Sequence, residues 1–210
     1  MIHGGVGVDL IVGDNGDDTV DGDRGNDIEF LGSGDDTAVW LPGEGSDVVN
    51  GDGGEDALAF VGADGNEVDD LSASGHRVLF SREPGAVRMD LDGVEQLDLT
   101  VLRGADSVTV NDVTGTDLQS ANVDLGPQGV GDAQNDDTVT VNGTNNADQI
   151  SVGASAGIVE VTGLQPALRI SNGEPADHLH VHSQDGNDQV RVPDDARALI
   201  GVIVDLGAGQ

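Results

Sequence analysis

Over the first sixty residues the apolar side chains arrive in short bursts. Leu10-Ile11-Val12, Thr19-Val20-Asp21, Ile28-Glu29-Phe30, Thr37-Ala38-Val39, Val48-Val49-Asn50 and Ala57-Leu58-Ala59 are separated by glycine-rich polar segments. Each burst is too short for a helix and follows a turn signal, so each predicts a very short strand. In one frame the chain reads GGVGVDLIV from Gly4, GDNGDDTVD from Gly13, GDRGNDIEF from Gly22, LGSGDDTAV from Leu31, PGEGSDVVN from Pro42 and GDGGEDALA from Gly51. Position four is Gly and position six is Asp in all six units, with Trp40-Leu41 inserted between the fourth and fifth. A fixed period of this kind signals a stacked architecture. Two units close one flattened coil of eighteen residues. Coils then stack at the strand spacing of about 4.8 Å, which sets the turns of units n and n+2 one above the other.

Beyond Phe60 the period changes. VGADGNEVDD and SGHRVLFSREPG lead into a looser pattern, x-[DE]-x-U-x-U, where U is an aliphatic. It recurs at VEQLDL (Glu95), ADSVTV (Asp106), DDTVTV (Asp137), ADQISV (Asp148), ADHLHV (Asp177) and NDQVRV (Asp188). These acids fall in pairs eleven apart, and the pairs recur after 42 and then 40 residues. VRMDL, ANVDL, GIVEVTGL, ALRIS and IGVIVDL lie around them. Alternation of this sort predicts half-buried strands, and no helical period competes with it. Three copies of about 40 residues are too few to close a propeller, whereas a stack of wider coils needs no closure.

Composition sharpens this picture. Forty acids face eight Arg and no Lys, for a net charge of −32, and the only aromatics are one Trp and three Phe. Such a balance ordinarily marks disorder. Here the acids are mostly Asp and alternate with Val, Ile and Leu, which argues for a fold. The field repels nucleic acid and anionic lipid. The absence of cysteine excludes disulfides and thiolate metal sites. No apolar run is long enough to span a bilayer as a helix.

Stacking puts like-charged aspartates in a file, which is unfavourable in water alone. A Ca²⁺ between successive turns converts that repulsion into ligation, with backbone carbonyls and an Asp from each turn as oxygen donors. Mg²⁺ suits such a site less well, because it dehydrates reluctantly and demands a tighter octahedron. The glycines are expected to turn the chain through positive φ at positions one, two and four.

The repeated GGxGxDxUx resembles the hemolysin-type calcium-binding repeat of RTX proteins over residues 4–59. That resemblance implies a parallel β-roll, type I secretion and a bacterial extracellular setting, at the cell surface or in a matrix. It implies side-chain ligands at Asp9, Asp18, Asp27, Asp36, Asp47 and Asp56, paired as Asp9/Asp27, Asp18/Asp36, Asp27/Asp47 and Asp36/Asp56. It further implies carbonyl ligands from Gly4, Val6, Gly13, Asn15, Gly22 and Arg24, and from Gly25, Gly32, Gly34, Gly43, Gly45, Asp52 and Gly54. Departures are expected to matter. Leu31 and Pro42 replace the first glycine, so their turns need an altered φ. Glu29 stands where an inward aliphatic belongs, so a register shift there would move the apolar face to Ile28 and Phe30. The Trp40-Leu41 insertion is expected to distort the Asp27/Asp47 and Asp36/Asp56 pairs.

Other candidates are weaker. On a strand His178, His180 and His182 share the outer face at about 6.6 Å spacing, while Leu179 and Val181 point in. Two of them suit an adventitious transition metal; all three span about 13 Å and cannot share one ion. His3 and His76 stand alone. No G-x-S-x-G, H-E-x-x-H or P-loop occurs, and Asp21-Gly22-Asp23 begins an EF-hand loop without completing it. Neither end carries a polar cap, and LGAGQ at the C-terminus reads as the start of another glycine turn. This predicts a piece of a longer array or a protomer that stacks on copies of itself.

The expected fold is therefore all-β: a parallel β-roll over residues 4–59, a transition segment over 60–86, and a wider β-helix-like β-solenoid over 87–210. The expected function is a non-enzymatic, calcium-binding structural module, with no nucleic-acid partner and no membrane insertion. The alternative is a calcium-dependent folding and secretion appendage of an enzyme or toxin whose active domain is not in this chain.

Overall fold

The computed structural model describes residues 1–126 and 135–208. The chain is all-β, with two ten-stranded, largely parallel sheets between which it alternates. The first seven strands are β1 (Ile2–His3), β2 (Leu10–Val12), β3 (Thr19–Asp21), β4 (Ile28–Ser33), β5 (Thr37–Trp40), β6 (Val48–Gly53) and β7 (Ala57–Val61). Odd-numbered strands build one sheet and even-numbered strands the other, each pairing in parallel with the strand two later. Ile2 lies against Val20, Leu10 against Ile28 and Thr19 against Thr37, which is the eighteen-residue coil expected from the repeat. Across the Trp40-Leu41 insertion the offset becomes twenty, with Ile28 against Val48 and Thr37 against Ala57.

Next the chain overshoots and backfills. β8 (Val68–Ser74) lands three places beyond β6, and β9 (Arg77–Glu83) and β10 (Val87–Asp92) return antiparallel to fill the gap. The segment expected to be a transition is thus mostly sheet. Four strands then alternate between the sheets: β11 (Gln96–Thr100), β12 (Ser107–Val110), β13 (Ser120–Asp124) and β14 (Thr138–Asn142). A second overshoot in the opposite sheet uses β15 (Gln149–Ser155), β16 (Ile158–Thr162) and β17 (Ala167–Ser171). β18 (His178–His182), β19 (Gln189–Arg191), a one-turn helix α1 (Asp194–Arg197) and β20 (Gly201–Asp205) complete the order. The helix was not signalled by any period. The glycine turn expected from Leu206 runs into residues 209–210, outside the described residues.

The two overshoots explain why the later repeat looked loose. Strands 39 or 40 residues apart pair directly, as Val68 does with Ser107 and Thr138 with His178, while β12 and β14 pair at an offset of 31.

Alternation sets the core. Val20, Leu31, Val49, Leu58, Leu97, Val123, Leu168 and Leu179 belong to one continuous cluster of inward side chains from both sheets. Each such burial stabilises by roughly 1.5–3 kcal/mol before entropy is charged against it. Three of the four aromatics meet at the end of the nonapeptide region. Trp40 stacks on Phe60 at 4.1 Å, and Phe60 meets Phe80 edge-on at 4.7 Å. The inserted residue is thereby absorbed, because the Trp40 indole N–H donates to Gly45 O at 2.9 Å and its ring closes the core. Glu29 keeps the register of its neighbours, between Ile11 and Val49, so the shift expected there does not occur. Ile28 and Phe30 remain on the outer face, more than a third exposed.

Candidate metal centre

The turns are shaped at position two. Gly5, Gly32 and Gly43 have φ of 101°, 113° and 104°, and Asp14, Asp23 and Asp52 adopt 71°, 60° and 67° in the same place. Glycine takes the left-handed region freely, and aspartate tolerates it. Position one does not need it, which corrects the expectation for Leu31 and Pro42. Neither is left-handed, and Leu31 is a fully buried core residue. What position one supplies is room. A Cβ on Gly22 would stand 2.7 Å from Asp27 Oδ2, and one on Gly51 2.5 Å from Asp56 Oδ2.

Turns two units apart stack tightly. Gly7 N–H donates to Arg24 O at 2.8 Å, and Arg24 N–H donates to Gly5 O at 2.9 Å, so that Val6 pairs with Arg24. Asn15 pairs with Ser33 in the same way. At position four the carbonyls of Gly7, Gly16, Gly25 and Gly34 point along the stack, where any Cβ on Gly25, Gly34, Gly45 or Gly54 would collide with them.

All four expected aspartate pairs are brought together, each by a backbone N–H donating to the next carboxylate. Asp9 donates to Asp27 Oδ1 at 2.8 Å and Asp27 to Asp47 Oδ1 at 2.7 Å. On the other rim Asp18 donates to Asp36 Oδ1 at 2.6 Å and Asp36 to Asp56 Oδ1 at 2.9 Å. The insertion therefore leaves the two later pairs intact. One oxygen of Asp27, Asp36, Asp47 and Asp56 is thus engaged. Asp9, Asp27, Asp36 and Asp56 each bury Oδ2 with no hydrogen-bond partner. Burial, reinforced by neighbouring carboxylates, pushes Asp47 and Asp56 up to about 6 and raises Asp27. Each group resists ionising where it stands, as expected of a desolvated anion without a counter-charge.

The same ladder runs on beyond the nonapeptides. Asp56 N–H donates to Glu95 Oε2 at 2.7 Å, which joins the first motif to the second. Glu67 donates to Asp106 Oδ1, Asp106 to Asp137 Oδ1 and Asp137 to Asp177 Oδ1, at 2.8, 2.8 and 3.0 Å. Asp148 donates to Asp188 Oδ1 at 2.9 Å. The two periodicities are one device. Glu67 escaped the sequence pattern because Asp69 occupies the aliphatic place that follows it. A second ladder, also missed, runs the other way at position five. Ser46 N–H donates to Asn26 Oδ1, Asp35 N–H to Asp17 Oδ1 and Glu55 N–H to Asp35 Oδ1, each at 3.0 Å. Its signal was the polar residue before each repeat Asp from Asp18 onward.

At the far end of the stack the second oxygen is satisfied by the protein. Thr144 N–H reaches Asp148 Oδ2 at 2.8 Å and its hydroxyl reaches Oδ1 at 2.9 Å. Glu174 N–H donates to Asp177 Oδ2 at 2.7 Å, and the Ser183 hydroxyl donates to Asp188 Oδ2 at 2.8 Å. His178, His180 and His182 line one face of β18 as expected, with ring centroids 6.1 and 6.0 Å apart. Burial and its two neighbours lower the His180 pKa. Elsewhere His3 Nδ1 stands 3.4 Å from both Asp21 Oδ2 and Asp23 Oδ2, so His3 is less isolated than its sequence position suggests.

No family model, no curated protein and no solved structure matches this chain.

Proposed function

We propose that this chain is a calcium-binding structural module of the extracellular space, a parallel β-roll that continues into a wider β-solenoid, as in the RTX proteins its repeat resembles. The observation that carries the reading is the set of buried Oδ2 atoms on Asp9, Asp27, Asp36 and Asp56, which lack any protein donor. A buried anionic oxygen without a partner costs several kcal/mol unless a proton or a cation answers it. The fit to a hard cation is good. Donors are oxygens only: the orphan atom on Asp27 crowds the Cβ-less Gly22, and that on Asp56 lies with the Gly93 carbonyl oxygen beside the Cβ-less Gly51. Asp9, Asp18, Asp27, Asp36, Asp47 and Asp56 would hold the ions, with turn carbonyls completing the shell. Bound Ca²⁺ supplies the counter-charge that lets the files of carboxylates stack.

Ion binding is then coupled to folding, since the ion-free chain is a polyanion of net charge −32. Extracellular modules of this class work at about 10⁻⁴ to 10⁻³ M calcium. The parallel edges of both sheets suit stacking on further solenoid repeats or on copies of the chain. The test is far-UV circular dichroism and Trp40 fluorescence across a calcium titration from an EDTA-treated sample. Strand signal that increases with calcium and a buried-indole spectrum that appears only with it support the reading; spectra indifferent to calcium overturn it. Filaments of this chain in electron micrographs support the stacking role.

A further inference from the structure

Two segments of the chain share a plan that the repeat does not require. Asp27-Ile28-Glu29 and Glu67-Val68-Asp69 each present a ladder acid, an outward residue, and then an acid in the inward place that aliphatics hold elsewhere. Glu29 is 1% exposed, in register with Ile11 and Val49; Asp69 is fully buried, in register with Val108.

At the second segment the chain provides its own cation. Arg82, the cross-strand partner of Asp69, forms an ion pair with Glu67 through Oε1; Asp69 itself buries both carboxylate oxygens without a hydrogen-bond partner, and the nearby guanidinium only lowers the cost of ionising it. At the first segment, among the described residues, no basic side chain pairs with Asp27 or Glu29. Asp27 Oδ2 and Glu29 Oε2 are both buried without a hydrogen-bond partner. Their carboxylates converge on one gap: a Cβ on Gly22 would stand 2.7 Å from Asp27 Oδ2 and 2.8 Å from Glu29 Oε1. The other charges felt by Glu29, on Asp47, Asp21 and Glu44, are negative as well.

We infer that Glu29 is a calcium ligand. An ion seated beside Gly22, inward of the rim, is held by the carboxylates of Asp27 and Glu29 and supplies there the positive charge that the Arg82 guanidinium supplies to Glu67. An all-oxygen donor set of this charge suits Ca²⁺ rather than a transition metal. The inference rests on the calcium reading of the turns, but it adds a residue that the nonapeptide pattern reserves for an aliphatic.

The test counts Ca²⁺ bound to the full chain by equilibrium dialysis with elemental analysis, in wild type, Glu29→Gln and Glu29→Val. Glutamine keeps the shape of the side chain. Valine matches Val49 on the next coil, so Glu29→Val retains the fold even if the glutamine variant does not. Circular dichroism of the calcium-loaded variants checks this. The expected result is at least one Ca²⁺ fewer per folded chain at millimolar free calcium. A folded Glu29→Val chain that binds as many ions as wild type overturns the inference alone. A wild-type chain that binds none overturns the calcium reading together with it.

Discussion

The two ends of the stack use one backbone device and answer its charge differently. In both, the amide of one rim acid donates to the carboxylate of the next. In residues 4–59 Oδ2 of Asp9, Asp27, Asp36 and Asp56 is buried and unanswered. On Asp148, Asp177 and Asp188 it receives a hydrogen bond from Thr144, Glu174 or Ser183. Between them stands Arg82, paired with Glu67 and lying 5.6 Å from the centre of the Trp40 ring. A file of carboxylates is therefore no metal site by itself. On the calcium reading, what would distinguish one is the oxygen that the protein leaves without a donor.

The largest effect that tests this contrast is calcium withdrawal. Hydrogen exchange read by mass spectrometry after EDTA treatment is expected to lose amide protection over residues 4–59 and keep it over 138–205. Uniform loss or uniform retention along the chain would erase the distinction between the ends. Next in size is Arg82→Leu, which leaves Glu67 buried and unpaired. Removing one partner of a buried ion pair costs about 3–5 kcal/mol. Chemical denaturation should register that loss with or without calcium, since no ion is expected to stand in for the guanidinium.

A smaller effect is expected at the far end. Ser183→Ala removes the donor to Asp188 Oδ2 and costs about 1–3 kcal/mol, the usual penalty for a buried polar atom left unsatisfied. If added calcium restores that stability, the far end has been converted to the behaviour of the near end. If it does not, the glycine gap matters as much as the free oxygen.

The smallest effect is a pH dependence at the junction. Burial, with the Glu67 charge adding, pushes Asp69 up to about 7 against the pull of Arg82. The folded state therefore holds a proton that the unfolded chain releases near pH 4. Stability contributed by the protonated acid is complete below that point and is lost as pH rises towards 7. Denaturation midpoints of wild type should fall across this window, and those of Asp69→Asn should fall less. Equal slopes in the two proteins would place the titration elsewhere.

Much of this was legible in the sequence. The six nonapeptides give the strand positions, the eighteen-residue coil and the aspartate pairs, and all of these are found. Such features are local. A glycine turn, an alternation of period two and a fixed repeat length leave little choice of register. The wider repeat was read less well, because β8–β10 and β15–β17 overshoot and return, and no spacing rule distinguishes a skipped place from an occupied one. Leu31 and Pro42 were misjudged because positive φ falls at the second residue of each turn, and at the fourth in Gly7, Gly16, Gly34 and Gly54, but not at the first.

The sequence by itself determined that acids would line the turns in files, since a period of nine brings position six of every second unit to one place on the rim. Only the tertiary structure decided which of those acids are answered by the protein. The donors come from Thr144 four residues away, Ser183 five away and Arg82 fifteen away, and the last is delivered by a strand that runs against the grain of its sheet. Folding fixes those distances. No reading of residue types along the chain contains them.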